Sequence, residues 1–541
     1  MAVSAASNPV RSREVDAVVI GAGFSGLYMV HQLRQLGLTH RAFEAGSGVG
    51  GTWYWNRYPG ASSDSESWVY SFSFSEELEQ EWTWSRRFPE QSEILAYLEF
   101  AAERLGLIPS FDFNTRVVGA RYDEDSNTWS VETEQGERVT AKYLITAVGC
   151  LSAAQVPDIP GRDQFAGNWY HTGQWPHEGV DFTGKRVGVV GSGSSGIQSI
   201  PVIAKQAAHL TVFQRTPSFS VPAGNRPLSP QEVGALKRDI KEIRQTCRYT
   251  TIGQPYDFKP VSALEVSEEE RRRQFEADWQ KGGFEWMFGS FHDLLFDPKA
   301  NDLAAEFVKE KIRSTVHDPE LARKLIPDGY PIGTKRLPLD QNYFETFNRD
   351  NVALVDLRET PIEQIETSGI RTTDKLHELD IIVFATGFDA LTGPLLRIGI
   401  SGRNGERLED KWAAGPSTYL GVAMEGFPNL FMITGPGSPS VLGNMPTSIE
   451  QNVEWITDCI VHLREQGATK IEPTREAETK WREHVKELAD GTLFPQTNSW
   501  YMGANVPGKP RVFLPYIGGF GVYRKLCAEI ARKGYEGFAI Q

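Results

Sequence analysis

Residues 15–26 read Val-Asp-Ala-Val-Val-Ile-Gly-Ala-Gly-Phe-Ser-Gly, and this stretch decides the fold. The six residues before Gly21 form a short apolar run suited to a buried parallel strand. Leu27, Val30, Leu33 and Leu36 then recur at helical spacing. Strand, glycine turn and helix together form a dinucleotide-binding unit. Gly21 permits the tight turn, Gly23 lets the backbone approach a pyrophosphate, and Gly26 lets helix and strand pack closely. The helix N-terminus, with Ser25 in its first turn, carries partial positive charge toward the phosphates. Glu44, about 18 residues past Gly26, is placed to accept from ribose hydroxyls.

The pattern recurs downstream. Lys185–Val190 is again a short apolar strand, and it feeds Gly191-Ser-Gly193-Ser194-Ser195-Gly196. The helix that follows carries Pro201, which should kink or delay it. The next strand, Leu210–Phe213, ends not in an acid but in Gln214-Arg215-Thr216. An acid there would repel a 2′-phosphate, whereas the Arg215 guanidinium grips one in bidentate fashion. The first unit therefore reads as FAD-binding and the second as NADP-binding. The fold class is α/β, with two Rossmann-like domains.

Composition excludes other classes. A chain of 541 residues accommodates two to four domains, and a net charge of −14 argues against nucleic acid and anionic membranes. Cys150, Cys247, Cys459 and Cys527 form no CxxC pair, which fits a reducing compartment and excludes flavin-dithiol chemistry. The start lacks a signal peptide's features, and no apolar run approaches the roughly 20 residues of a membrane span. A soluble, cytoplasmic protein is expected, with no metal site and no obligate protein partner.

Between the two glycine loops stands Phe165-Ala-Gly167-Asn-Trp-Tyr-His171-Thr-Gly-Gln-Trp175-Pro176. Upstream, Gly51-Thr52-Trp53-Tyr-Trp-Asn-Arg-Tyr58-Pro-Gly60 leads to Asp64, and its aromatics suit a loop laid over a flavin ring. Downstream come Gly333-Thr-Lys335-Arg336-Leu, the glycine- and proline-rich run Thr434–Met445, and Asn498–Lys509. The patterns Phe-x-Gly-x-x-x-His-x-x-x-Trp-Pro and Gly-x-Trp-x-x-x-x-Tyr-Pro-Gly-x-x-x-Asp resemble those of the type I Baeyer–Villiger monooxygenases. The likeness is greatest to the branch acting on phenylacetone and steroids, and it runs over nearly the whole chain.

That resemblance implies conversion of a ketone and O2 to an ester or lactone, with FAD and NADPH, through a C4a-peroxyflavin. It implies Arg336 beside the flavin, Asp64 near it, and Lys335 on the NADP phosphate. It adds Thr52, Trp53, Tyr70, Val117 and Met445 to the cofactor contacts. It makes Trp500 a residue reaching NADP or substrate, and Ser440, Val441, Leu442 and Met445 pocket walls. Cys150 replaces a glutamine of the phenylacetone enzyme, so pocket polarity does not carry across. A flavin N- or S-oxygenase of the same superfamily is the nearest rival. An uncoupled NADPH oxidase or flavin-bound regulator is a more distant one.

The expected domains are 1–150 for FAD, 151–184 as a linker with the fingerprint, and 185–224 with 331–345 for NADP. Residues 225–330, opened by the capping box Ser229-Pro-Gln-Glu232, are a helical insertion. Residues 346–541 return to the FAD domain, with Asp380–Gly387 as the returning strand. The charge run Glu268–Arg273 is read as a solvated helix face.

Overall fold

A computed structural model describes residues 13–541. The strand Arg13–Ile20 lies at the centre of an eight-stranded sheet. Phe111–Asp112, His40–Phe43, Arg13–Ile20 and Arg138–Thr146 run parallel in that order. The long strand Arg138–Thr146 has two further partners. Its first half pairs antiparallel with Thr128–Thr133, and its last three residues pair parallel with Leu430–Met432. Alternation along Arg13–Ile20 feeds two cores. Ala17 and Val19 pack with Leu27, Val30 and Ile456 on one face, and Val18 and Ile20 pack with Trp129, Leu144 and Phe427 on the other. Both faces being covered is why the run is continuously apolar.

The second sheet holds five parallel strands in the order Val352–Asp356, His209–Gln214, Arg186–Val190, Ile381–Phe384 and Asn168–His171. Two expectations are corrected here. Residues 346–384 do not belong to the FAD sheet: Val352–Asp356 and Ile381–Phe384 complete the second sheet, and the chain re-enters the first only at Ile400–Ser401 and Leu430–Met432. Nor is the fingerprint purely a linker, because Asn168–His171 is the edge strand beside Ile381–Phe384. A buried apolar run followed by Ala-Thr-Gly fits either of two like sheets, so periodicity alone could not choose between them.

Between the second-sheet strands, helices Pro230–Cys247, Glu268–Lys281, Pro298–Thr315 and Pro319–Leu325 begin on Ser229, Ser267, Asp297 and Asp318, whose side chains accept first-turn amides. The helix Ser194–Ala204 runs through Pro201 and closes within the next turn.

The two units meet on the second motif. Tyr58 Oη donates to Gln198 Oε1 at 2.7 Å, and Gln198 Nε2 donates to the Ser62 carbonyl at 3.1 Å. Gly60 between them has φ +81°, and a Cβ there would stand 2.2 Å from the Gln198 carbonyl oxygen. Gly60→Ala is therefore expected to destabilise the fold by about 1–3 kcal/mol. Gly184→Ala, at φ +71° but with open space around it, pays the backbone term alone. Thermal denaturation of the two variants should show the larger drop for Gly60→Ala.

Candidate active site

The two glycine loops are built alike. A Cβ on Gly21 would lie 2.5 Å from the Ala147 carbonyl, and one on Gly191 would lie 2.4 Å from that of Ala385. A Cβ on Gly26 or Gly196 would collide with the carbonyl of Gly21 or Gly191, so each helix start sits hard against its own turn. The third positions differ. Gly23 backs onto Gly51, whereas Gly193 is exposed with nothing within 4 Å of a Cβ. The second loop thus keeps the open backbone cradle that a phosphate requires. Ser195 Oγ, in that helix's first turn, lies 3.1 Å from Thr172 Oγ1 of the fingerprint. Ser192 Oγ donates to the Thr216 carbonyl at 3.1 Å.

Glu44 is buried, and its carboxylate accepts the amides of Ala22 at 2.8 Å and Gly46 at 2.7 Å. It ties the first loop down in addition to its expected role toward a ribose. A carboxylate offers about four acceptor sites, so two remain for hydroxyls.

Arg336 gathers the centre. Its Nε and Nη2 donate to Asp64 Oδ2 at 3.3 and 3.1 Å, its Nη1 donates to the Val441 carbonyl at 3.2 Å, and its guanidinium lies 4.7 Å over the Phe284 ring. Burial raises the pKa of Asp64 against the opposing pull of Arg336. For Arg336, burial alone would favour the neutral form, but Asp64 and the Tyr501 hydroxyl more than offset it and raise the pKa. The charge is therefore permanent. Asp64 Oδ1 is buried and has no hydrogen-bond partner, leaving one acceptor free at the centre. Cys150 lies against Ser440, and burial pushes its thiol up to about 11, so it stands there neutral. Trp53 Nε1 donates to Tyr70 Oη at 3.3 Å, with the two rings edge to face.

Arg215 and Lys335 form a second group. The Lys335 ammonium rests 4.3 Å from the centre of the Tyr330 ring. Burial, then the positive charge of Arg215, lowers its pKa. Among the described residues neither cation has a carboxylate partner within 4 Å. Two such cations near each other, just past the strand His209–Gln214, give this place a positive potential.

The fingerprint acts as a joint. His171 Nδ1 accepts the Gly173 amide at 3.0 Å, which places the ring proton on Nε2, a buried nitrogen with no hydrogen-bond partner among the described residues. Gly167 and Gly173 are needed for space, since a Cβ would meet the Asp380 carbonyl at 2.3 Å and the Phe388 ring at 2.4 Å, respectively. Phe165 and Trp175 are buried, and the Trp175 amide reaches the Trp55 carbonyl at 3.4 Å. The segment Asn498–Lys509 is latched here too: Asn505 Nδ2 donates to the Phe388 carbonyl and Lys509 pairs with Asp389 at 2.6 Å.

Not every predicted residue converges. Val117 is buried among Ile20 and Phe43 in the core of the first unit. Met445 packs against both large cores, and Leu442 and Trp500 against the second. Thr52 starts a short helix, Thr52–Trp55. It is Tyr501, next to Trp500, whose hydroxyl reaches Arg336. Tyr501 and Phe284 were both missed by sequence reasoning. Only the adjacency to Trp500 could have drawn attention to Tyr501, and nothing marked Phe284.

A family model described as pyridine nucleotide-disulphide oxidoreductase matches residues 18–264. All four cysteines are free, so the match carries the nucleotide-binding fold and not dithiol chemistry. A Baeyer–Villiger monooxygenase of Pseudooceanicola batsensis is 46% identical over 525 residues, 96% of this chain and 95% of that one. The chain belongs to the Baeyer–Villiger monooxygenase family. Phenazine N-monooxygenase PhzNO1 of Lysobacter antibioticus is also 46% identical, over 97% of both chains. The solved structure of an oxidized steroid monooxygenase bound to NADP superposes with a TM-score of 0.94 at 52% identity, covering 97% of this chain and 99% of that one. As a flavoprotein monooxygenase of this family, it uses FAD and NADP(H) as cofactors. No described helix is long and apolar enough to cross a membrane.

His171 gives a pH prediction. Burial lowers its pKa from 6.5 to about 4, so the fold favours the neutral ring. The stability this contributes is complete above pH 6.5 and is lost as pH falls toward 4, by about 3 kcal/mol in all. Urea unfolding of wild type and His171→Gln should differ more at pH 7 than at pH 4.5.

Proposed function

We propose that this chain oxygenates ketones to esters or lactones, with Arg336 as the residue on which the reaction depends. The supporting observation is the seating of Arg336: a guanidinium that cannot give up its proton, held by Asp64 and the Val441 carbonyl over Phe284. Overall, a ketone, O2, NADPH and a proton give an ester, NADP+ and water. Bound FAD, reduced by NADPH, supplies the activated oxygen.

The chain's residues do the rest. Gly21, Gly23, Ser25, Gly26 and Glu44 would hold FAD. Gly191, Gly193, Ser194, Ser195 and Gly196 would hold the NADP pyrophosphate, with Arg215, Thr216 and Lys335 at its 2′-phosphate. Arg336 places a fixed positive charge where negative charge develops on oxygen as the carbonyl carbon becomes tetrahedral. Such preorganised charge is worth most where water is excluded. Asp64 holds the guanidinium in one orientation, and the Tyr501 hydroxyl supports its charge. The Cys150 thiol, neutral up to about pH 11, adds no competing negative charge. Val441, Leu442, Ser440 and Met445 would shape the ketone's apolar surroundings.

A second reading has its own support, since a phenazine N-monooxygenase stands as near as a Baeyer–Villiger enzyme, at 46% identity. N-oxygenation develops no carbonyl oxyanion, so it gives Arg336 less to stabilise. Turnover under 18O2 separates the two. An ester carrying one 18O from phenylacetone or a cyclic ketone supports this proposal, and labelled phenazine N-oxide with no ester from any ketone refutes it.

Arg336→Lys should lower ester formation by on the order of 10²-fold or more, while reduction of the bound flavin by NADPH persists. Arg215→Ala should raise the KM for NADPH by about 10- to 100-fold, the cost of one charge-assisted contact, and leave the KM for NADH unchanged. Steady-state kinetics with both nucleotides measures this.

A further inference from the structure

Five described residues hold left-handed backbone without being glycine or asparagine, and two of them are joined by one buried network. Thr434 and Leu420 both have φ +57°. For a β-branched threonine that conformation is strained and persists only where neighbours impose it. The Thr434 amide donates to Asn452 Oδ1 at 2.9 Å, and Asn452 Nδ2 donates to Gln451 Oε1 at 2.7 Å and Tyr523 Oη at 3.1 Å. Tyr523 Oη donates in turn to the Leu420 carbonyl at 2.6 Å. Every role is fixed. An amide can only donate and a carbonyl only accept, so the orientations of the asparagine and the hydroxyl follow. Asn452 is 1% exposed and Tyr523 0%.

This network ends on the glycine- and proline-rich run Thr434–Met445, which holds Arg336 through the Val441 carbonyl. The Thr434 carbonyl accepts from Ser440 Oγ at 3.2 Å, and Ser440 itself has φ +43°. The next residue, Val441, offers its carbonyl to Arg336 Nη1. The backbone conformation at Thr434 relates its amide, aimed at Asn452, to its carbonyl, aimed at Ser440. From Tyr523 on the helix Phe520–Arg532, through Asn452 on the helix Met445–Glu465, contact runs unbroken to the guanidinium.

We infer that Asn452 and Tyr523 are positioning residues for the monooxygenation: by imposing left-handed backbone at Thr434 they set the place of the Val441 carbonyl and so of Arg336. The inference rests on the proposed role of Arg336. It deepens that role by placing part of the control of productive oxygenation in two helices that supply no group to the guanidinium.

The test uses the FAD-loaded enzyme and the variants Asn452→Ala, Tyr523→Phe, Thr434→Gly and Asn452→Ala/Thr434→Gly. A misplacement of about 1 Å at reacting atoms costs up to about 10²-fold. Asn452→Ala and Tyr523→Phe should therefore cut the ester formed per NADPH consumed several-fold and raise hydrogen peroxide correspondingly. Amides of residues 434–442 should exchange faster with deuterium in both. Glycine adopts the left-handed conformation unaided, so the double variant should recover both coupling and exchange protection. A purely structural role would lower the melting temperature and leave coupling unmoved. Failure of Thr434→Gly to restore Asn452→Ala overturns the inference, as does unchanged exchange in Asn452→Ala and Tyr523→Phe. Absence of ester from wild type would refute the proposed function instead, and the exchange measurements would still decide the positioning role.

Discussion

The contact between Asp64 and Arg336 is the constraint that organises the molecule. Its partners lie 272 residues apart. Asp64 follows the aromatic loop of the first nucleotide unit, and Arg336 precedes the strand Leu339–Asp340 beyond the helical insertion. The pair can close only if both sheets fold, the insertion packs, and the motif around Gly60 docks on Gln198. A largely buried carboxylate facing a half-buried guanidinium is not by itself a stabilising device, because desolvation consumes much of the attraction. Its value here is geometric. One Asp64 oxygen receives two nitrogens of the fork, the Val441 carbonyl receives a third, and the flat face rests on Phe284. The charge is thereby fixed in direction as well as in sign.

Around that pair the chain spends strain locally. Left-handed residues at Thr434 and Ser440 bring a carbonyl to a cation, where helix or strand geometry would not. The fingerprint serves a complementary purpose at the other end of the site. A neutral His171, one nitrogen on the Gly173 amide, joins the edge strand to the phosphate loop through Thr172 and Ser195. The second glycine loop is thus joined by direct contacts to the aromatic segment Thr52–Trp55, through Trp175 and Trp55.

Much of this was legible in the sequence because its signals are local. Val15–Gly26 and Lys185–Gly196 declare strand, turn and helix within a dozen residues, and at Asp123 the carboxylate accepts the amides of Asp125 and Ser126 in a local turn. Serine caps at Ser229 and Ser267 were equally readable. What escaped was non-local. The strand Ile381–Phe384 carries no mark of which sheet it joins, so it was assigned to the wrong one. Tyr501 and Phe284 reach Arg336 through tertiary folding alone, and the Asn452–Tyr523 network has no sequence period at all. Arg215 was singled out by position, and the structure adds a neighbour, Lys335, with which it shares an uncompensated charge.

The most direct test of the account mixes NADPH-reduced enzyme with oxygenated buffer at rising ketone concentrations, following flavin reoxidation and the products of a single turnover. The account predicts reoxidation that quickens with ketone and yields one ester per NADPH with little hydrogen peroxide. Reoxidation indifferent to every ketone, with one hydrogen peroxide per NADPH, would contradict it.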